Sequence, residues 1–498
     1  MRAARLRAVS AVLLPALLSA CQAVNYQPLQ TISRVDTSQG YRLEQNVTRQ
    51  DDEVFVVLLF SGGGTRAAAL GYGVLEELSQ QPVYIGGREK MLLDSVDLVY
   101  GVSGGSVLAA YYSLHGRDTI PSFDRRFLRS NFQRMVAGQV FSLANLPRLI
   151  SPEFGRSDLL QEQFEANLFG RATFGDLAAR RKGPFAVISA TDMSVGRRIE
   201  FTQEFFDIMC LNLSDLRLAR AVAASSAVPV VFSPVTLNNN GGNCGYTLPP
   251  RLAQALSDGG RQATQQARLD FSRQIDLYQD SKARPYIHLL DGGLTDNLGL
   301  RSLIDAGEIY PGHTLMRQMG NRNIRRIVVI SVNAQNRPDN DIDRSPRVPG
   351  LRSVLGAVID VPIDQNTQQT LSRFRALADR WNEQARAERK SEPVELHFVS
   401  LSLRDLPDSA LRRRVLNIST SFHLPRGDIN SLKEAAHVLM RQSPEYARVL
   451  AALSADKPAE EAAAPGQPSA DAPANPPPAC AGSMPAGTPG CPEGGAAD

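Results

Sequence analysis

Excess charge is the first thing this sequence lacks. Lys and Arg total 54 against 51 Asp and Glu, leaving a net charge of +3 over 498 residues. No basic low-complexity run concentrates it. Proteins that grip a phosphate backbone carry a basic patch or stripe, so a nucleic-acid partner is not expected. Cysteine is scarce too, at 5, with no pair at zinc-site spacing. Neither a metal nor another cofactor is expected. The glycine-rich stretch Gly62 to Gly73 has no Gly-Lys-Ser/Thr, the lysine-bearing end of a phosphate-binding loop, which argues against a nucleotide site. The apolar stretch near the amino terminus, Ala8 to Leu18, is too short to cross a bilayer.

That stretch has another use. Arg2, Arg5 and Arg7 precede it as a basic region, and Leu18-Ser19-Ala20-Cys21 follows it. The whole resembles the signal peptide and lipobox of bacterial lipoproteins. Residues 1–20 are therefore expected to be removed, with Cys21 carrying acyl chains; two or more such chains anchor stably. The alternative is an ordinary secretory signal that happens to end beside a cysteine. Gln22 after the cysteine favours the outer membrane, by analogy with enterobacterial sorting, so the expected location is the cell envelope. Export permits disulfides, and Cys210, Cys244, Cys480 and Cys491 can pair in three ways. Cys210 with Cys244 would staple an inserted loop, whereas the apolar context of Cys210 equally suits a free buried thiol.

Residues 21–50 are polar and aperiodic and read as a tether, 51–453 as one domain, and the Ala-, Pro- and Gly-rich 454–498 as a disordered tail. Within the domain, Val54 to Phe60 is a continuous apolar run, the mark of a strand buried on both faces. It leads into Ser61-Gly62-Gly63-Gly64-Thr65-Arg66 and an Ala- and Leu-rich helix through Leu78. A second strand from Val96 reaches Gly101-Val102-Ser103-Gly104-Gly105 and another helix. Repetition of strand, turn and helix predicts an α/β fold with a mostly parallel sheet flanked by helices. Further strands are expected over Phe185–Ala190, Tyr286–Leu290, Ile327–Val332 and Glu395–Leu401, with Arg198–Phe201 pairing as a hairpin. Helices are expected over Leu216–Ser226, Gln365–Arg386, and from a capping box at Ser431–Glu434 to about Leu453. Asn238 to Lys282 reads as an insertion. Residues 121–181 are helical in pattern, with Phe123, Phe127, Phe132, Val136 and Phe141 near helical spacing and Arg125, Arg126, Arg129 and Arg134 between them. They form either an amphipathic face packed on the sheet or a helical cap that meets lipid.

Three glycine-bearing turns follow apolar strands: Gly62-Gly63-Gly64, the turn at Ser103, and Asp291-Gly292-Gly293. In a parallel sheet all three would lie at carboxyl ends, where active sites of open α/β sheets assemble. A serine on a sharp strand-to-helix turn, Gly-x-Ser-x-Gly, is a nucleophile elbow. Acyl transfer needs that nucleophile, a base, and N–H donors for the oxyanion, and the turns can supply one each.

In motif order and context the chain resembles a patatin-like phospholipase over roughly residues 53 to 333. Ser61 to Ala67 corresponds to the family's Asp-Gly-Gly-Gly-x-Arg-Gly oxyanion loop, Gly101 to Gly105 to its nucleophile turn, and Asp291 to Gly293 to its Asp-Gly-Gly motif. Ala224 to Pro229 also resembles a family block. The resemblance implies a three-layer α/β/α fold and hydrolysis of lipid acyl esters, in phospholipase A or lysophospholipase manner. It implies a Ser–Asp dyad without histidine: Ser103 attacks, Asp291 takes its proton, and N–H groups of the Gly62–Gly64 loop hold the oxyanion. Gly101, Gly105, Gly292 and Gly293 would shape the turns. Arg66 would hold the loop or attract an anionic headgroup, unless it is simply a surface or ion-paired arginine. Two residues depart from the pattern, Ser61 for the leading aspartate and Ala67 for the closing glycine, and neither removes a loop N–H. The competing readings are a Ser-Asp-His esterase using His313, His397, His423 or His437, and an idle lipoprotein that binds lipid or a partner.

Overall fold

Seven-residue runs of apolar side chains can be buried on both faces only inside a layered sheet, and that is where Val54 to Phe60 lies. The computed structural model describes residues 26–48, 53–257, 262–310, 323–336, 346–387 and 393–454. The chain divides into two units, Met1–Asp456 and Lys457–Asp498. The second, and with it the expected tail, lies outside the described residues, as do the signal segment, Cys21, His313, Cys480 and Cys491.

The strands are β1 (Val54–Phe60), β2 (Pro82–Ile85), β3 (Arg88–Met91), β4 (Val96–Val102), β5 (Phe185–Asp192), β6 (Arg197–Glu200), β7 (Val235–Asn238), β8 (Tyr286–Asp291), β9 (Arg326–Asn333) and β10 (Glu395–Ser402). The main sheet runs β10-β9-β1-β4-β5-β8-β7, with β6 also paired to β5; β2 and β3 form a separate hairpin. From β10 to β5 every pairing is parallel. Strand order reverses around β1, whose carboxyl end is thus a switch point, the place where open α/β sheets bind ligands. Helices flank the sheet: α1 (Gly64–Leu78) follows β1, α2 (Gly104–His115) follows β4, α3 (Leu218–Ser225) precedes β7, α4 (Leu351–Ala387) precedes β10, and α5 (Arg426–Gln442) packs along α1. The architecture is a mixed, mostly parallel sheet flanked by helices, consistent with the α/β/α fold that the resemblance implies.

Several expectations are corrected. The strand carrying Asp291 is not parallel to the rest: β8 runs antiparallel to both β5 and β7. Its last residue pairs with Ala190, so the chain comes in toward the switch point and turns away there. Residues 26–48 are no loose tether. Tyr41 is buried, its ring stacked on Phe185 at 4.0 Å, and its hydroxyl bonds both the N–H and the carbonyl of Ala186. Arg42 makes a buried ion pair with Asp207. Cys210 is disulfide-bonded to Cys244 rather than free, and the supposed loop beyond it holds helices Pro250–Ser257 and Gln262–Gln279.

Helix α4 starts at Leu351, well before Gln365, because it continues through Pro362, which reads as a breaker in sequence. Ser431 is no cap. It lies inside α5, its hydroxyl bonded back to the Gly427 carbonyl, and the helix ends at Gln442 before a separate one from Pro444. Of the aromatic series, Phe123, Phe127, Phe132 and Val136 are buried, but Phe141 is 85% exposed.

One irregularity of the central pair is built by a side chain. The β1–β4 register skips Asp97, a bulge. The buried Asp97 carboxylate accepts the Val56 N–H at 2.7 Å, replacing the ladder bond that the bulge removes. Asp97→Ala strands that N–H inside the sheet and should lower unfolding free energy by about 1–3 kcal/mol, read from urea denaturation.

Candidate functional site

At the end of β4 the chain must reverse into α2 within one residue. That residue is Ser103, held at φ 51 and ψ −123. A non-glycine residue there costs on the order of 1–3 kcal/mol and persists only where its surroundings fix it. They do so on several sides. The Ser103 N–H donates to Ser225 Oγ at 2.9 Å. Its carbonyl accepts the Ser106 N–H at 2.9 Å and the Ser106 hydroxyl at 2.6 Å. The strain leaves the side chain clear of the backbone, with the amino terminus of α2 directly behind it.

The Ser103 hydroxyl donates to Asp291 Oδ2 at 2.6 Å. Asp291 Oδ1 accepts the Gly293 N–H at 2.8 Å, and the Asp291 N–H donates to the Ala227 carbonyl. Asp291 is only 7% exposed. Burial pushes its pKa up to about 6, against the lowering effect of the bonds from Ser103 and Gly293. Above that pH the group is an ionised acceptor in a poorly solvated place, suited to take a proton from the serine.

The glycine loop after β1 lies against this pair. A Cβ on Gly62 would stand 3.4 Å from that of Ser103. Gly64 and Gly104 touch backbone to backbone; a Cβ on Gly104 would sit 2.6 Å from the Gly64 Cα, a distance that excludes any side chain. The loop's N–H groups are not equivalent. That of Gly62 is taken by Asn297, whose backbone carbonyl and side-chain oxygen each accept it at 3.1 Å. Among the described residues, those of Gly63 and Gly64 have no acceptor. The three-glycine expectation therefore narrows to two available donors.

Arg66 is neither on the surface nor ion-paired by contact. It is buried, with Nε on the Ala334 carbonyl at 2.7 Å and Nη1 on that of Ile418 at 2.8 Å. Burial lowers its pKa to about 10, so it keeps its charge at neutral pH. Ser61, in place of the family's aspartate, accepts the Ala334 N–H at 2.9 Å. Together Ser61 and Arg66 hold both polar groups of Ala334 and so tie the loop to the chain just beyond β9.

Two positioning residues carry no motif of their own. Ser225 takes the Ser103 N–H with its hydroxyl and the Gly292 N–H with its carbonyl, at 3.1 Å, bracing both turns. The block Ala224–Pro229 signalled its neighbourhood but not this task. Asn297 links the Asp291 turn to the glycine loop, and nothing in sequence marked it. The Ser421 carbonyl, which accepts the Thr65 N–H at 2.8 Å, was equally hidden. The remaining turn glycines act by close approach: a Cβ on Gly292 would meet the β5 backbone at Ser189, and one on Gly101 the Ser106 Cα.

Histidine is not part of this arrangement among the described residues. His397 pairs with Glu395 at 3.3 Å, His437 with Glu77, and the exposed His423 bonds Ser421 only through its backbone. Among the described residues no group of three or more His, Cys, Asp or Glu side chains is placed to hold a metal ion.

A family model described as Patatin-like phospholipase matches residues 58–304. Among solved structures, human GIVD cytosolic phospholipase A2 is similar at 11% identity and a TM-score of 0.46, over 86% of this chain and 68% of that one. The same human protein in complex with methyl gamma-linolenyl fluorophosphonate is similar at 13% identity and a TM-score of 0.37, over 83% and 62%. No curated protein matches the chain.

The raised pKa of Asp291 has a consequence for stability. The folded state prefers the protonated carboxyl, so the fold is most favoured below the unfolded value of 3.8 and loses stability as pH rises through about 6. Asp291→Asn removes that penalty. At pH 7.5 the variant should be more stable than the parent by up to about 3 kcal/mol, with the advantage shrinking between pH 6 and 4, as followed by denaturant titration across pH.

Proposed function

We propose that Ser103 and Asp291 are the catalytic dyad of a lipid acyl hydrolase, an activity that the match of residues 58–304 to the Patatin-like phospholipase family model supports. The 2.6 Å hydrogen bond between the serine hydroxyl and a buried carboxylate carries this reading. Asp291 accepts the proton as Ser103 Oγ attacks the ester carbonyl. The N–H groups of Gly63 and Gly64 hold the resulting oxyanion; one such donor is worth about 3 kcal/mol in comparable sites. Collapse expels the alcohol, which leaves with the proton from Asp291, and the acyl group stays on Ser103. A water molecule then loses its proton to the same carboxylate and adds to the acyl carbon; collapse releases the fatty acid and Ser103 Oγ, which takes that proton back from Asp291. Each step returns Asp291 to its starting state, so no second base is required.

Because the base must be ionised, kcat/KM should rise with pH through about 6 and level off above it. Ser103→Ala should lower turnover of acyl esters by about a thousandfold or more and abolish labelling by a fluorophosphonate. His397→Ala, His423→Ala and His437→Ala should stay within a few-fold of the parent, since none is asked to move a proton. Loss of turnover in any one of them would favour the Ser-Asp-His reading. An unlabelled parent, or equal labelling of Ser103→Ala, would favour the idle lipoprotein. Hydrolysis of a panel of phospholipids, lysophospholipids, glycerides and thioesters ranks the substrates.

We also propose that Cys21 is acylated and anchors the protein in the bacterial cell envelope, at the outer membrane. The basic, apolar and small-residue parts of residues 1–21 support it. Cys21→Ser should then take up no radiolabelled palmitate and keep its signal segment; continued labelling would overturn the proposal.

A further inference from the structure

Helix α4 is amphipathic in the wrong sense for a helix that packs on a core. Over its first turns Leu351, Val354, Leu355, Val358 and Val361 recur at helical spacing and all are exposed, Leu351 by 75% and Val358 by 66%. At the α-helical rotation these five side chains share an arc of about 120°. Asp360 lies on the opposite arc, and its charge is felt by the buried Arg66 that ties down the glycine loop. Ser353, Ala357 and Asp360 on the other arc are exposed as well, so these first turns stand clear of the core on both sides and leave the apolar stripe uncovered.

Two more exposed apolar segments connect to the same place. Phe141, Leu143, Leu146 and Ile150 follow the helix Phe132–Val140, and none is buried. Val230 and Val231 are exposed on the segment between α3 and β7, with Val230 at φ 71, where a β-branched residue is rare. Arg156, which opens the helix Arg156–Phe164 that comes next in the chain after Ile150, donates to the Val230 carbonyl at 2.8 Å. From Val231 the chain passes to Phe232, whose ring meets Phe422 at 5.9 Å, next to the Ser421 that bonds Thr65. At the other end of this segment the Ala227 carbonyl holds the Asp291 N–H.

We propose that these three apolar segments are a docking face for the lipid aggregate that carries the ester, an inference that rests on the lipid-hydrolase reading. Large exposed apolar patches on a folded chain mark a partner surface. Charge selects lipid over a second copy of this chain. Arg134, on the helix that leads into Phe141, is exposed, as are Arg125 and Arg126; among the described residues none of them is in an ion pair. Two-fold self-pairing would bring these arginines toward their own copies, whereas anionic headgroups neutralise them. No described helix is long and apolar enough to cross a membrane; the contact proposed is with the interface.

The test uses the full chain and vesicles of phosphatidylcholine with phosphatidylglycerol. The sequence has one Trp, the buried Trp381, which supplies a constant background. Val358→Trp and Leu143→Trp should shift to the blue when vesicles are added, whereas Ser372→Trp, farther along α4, should not. No shift at the first two, or an equal shift at all three, overturns the proposal. In parallel, joint Val354→Asp and Val358→Asp should reduce hydrolysis of vesicle phospholipid, relative to a dissolved short-chain ester, by at least about tenfold. Equal loss on both esters means damage to the fold and counts against it. A dimer that this double variant dissolves, with no vesicle shift in the tryptophan variants, assigns the face to self-association and also overturns it. Should the parent hydrolyse neither ester, the hydrolase reading fails, while the tryptophan shifts still decide docking.

Discussion

How closely two backbone turns can approach is the constraint on which the site depends. Gly64 and Gly104 meet without room for a Cβ on either side, since Gly64 is also pressed against Ser421. That contact brings the glycine loop alongside Ser103 and leaves two loop N–H groups with no acceptor among the described residues. A single added methyl group would separate the loop from the elbow. Because both turns emerge from adjacent parallel strands, β1 and β4, the strand spacing already sets most of this geometry. Glycine supplies the last few ångströms.

The carboxylate arrives differently. β8 comes in antiparallel to β5 and ends beside Ala190, one strand over from the serine. Ser225 and Asn297 then lock three separate segments together: the elbow to the Asp291 turn, and that turn to the glycine loop. Neither touches the reacting atoms, yet each uses two polar groups for the task. Such dense bracing suits a site that holds a serine at positive φ and a carboxyl in a poorly solvated place. Both features cost stability, and the surrounding hydrogen bonds offset that cost while the proposed chemistry benefits from it.

The outer surface follows another logic. The helical region after Phe123 buries an aromatic series and then releases Phe141, Leu143 and Ile150 to solvent, and α4 does the same with its first turns. These segments adjoin the chain around the glycine loop and the Asp291 turn, so the same stretch of sequence that packs the site also carries apolar side chains outward. Under the docking proposed above, the interior and the exposed apolar residues serve one reaction.

Much of this was legible in the residues alone. Doubly buried strands announce themselves as apolar runs, and Val54–Phe60, Phe185–Ala190 and Ile327–Val332 are all strands. Gly-x-Ser-x-Gly, the triple glycine and Asp-Gly-Gly are local patterns because the turns they form are local. The antiparallel entry of β8 was not legible, since strand direction depends on which neighbour the strand pairs with. Ser431 looked like a cap because capping boxes are short and recur by chance, and Tyr41 looked like tether because one buried anchor leaves no periodicity. Ser225 and Asn297 were invisible for a related reason: a hydrogen bond across more than a hundred residues leaves no trace in spacing. The sequence by itself determined the turns and their order, through the conformations that glycine and apolar runs permit. Only the tertiary structure decided which N–H groups find an acceptor, how far Asp291 is desolvated and how much of α4 faces water, because those depend on what packs against each group.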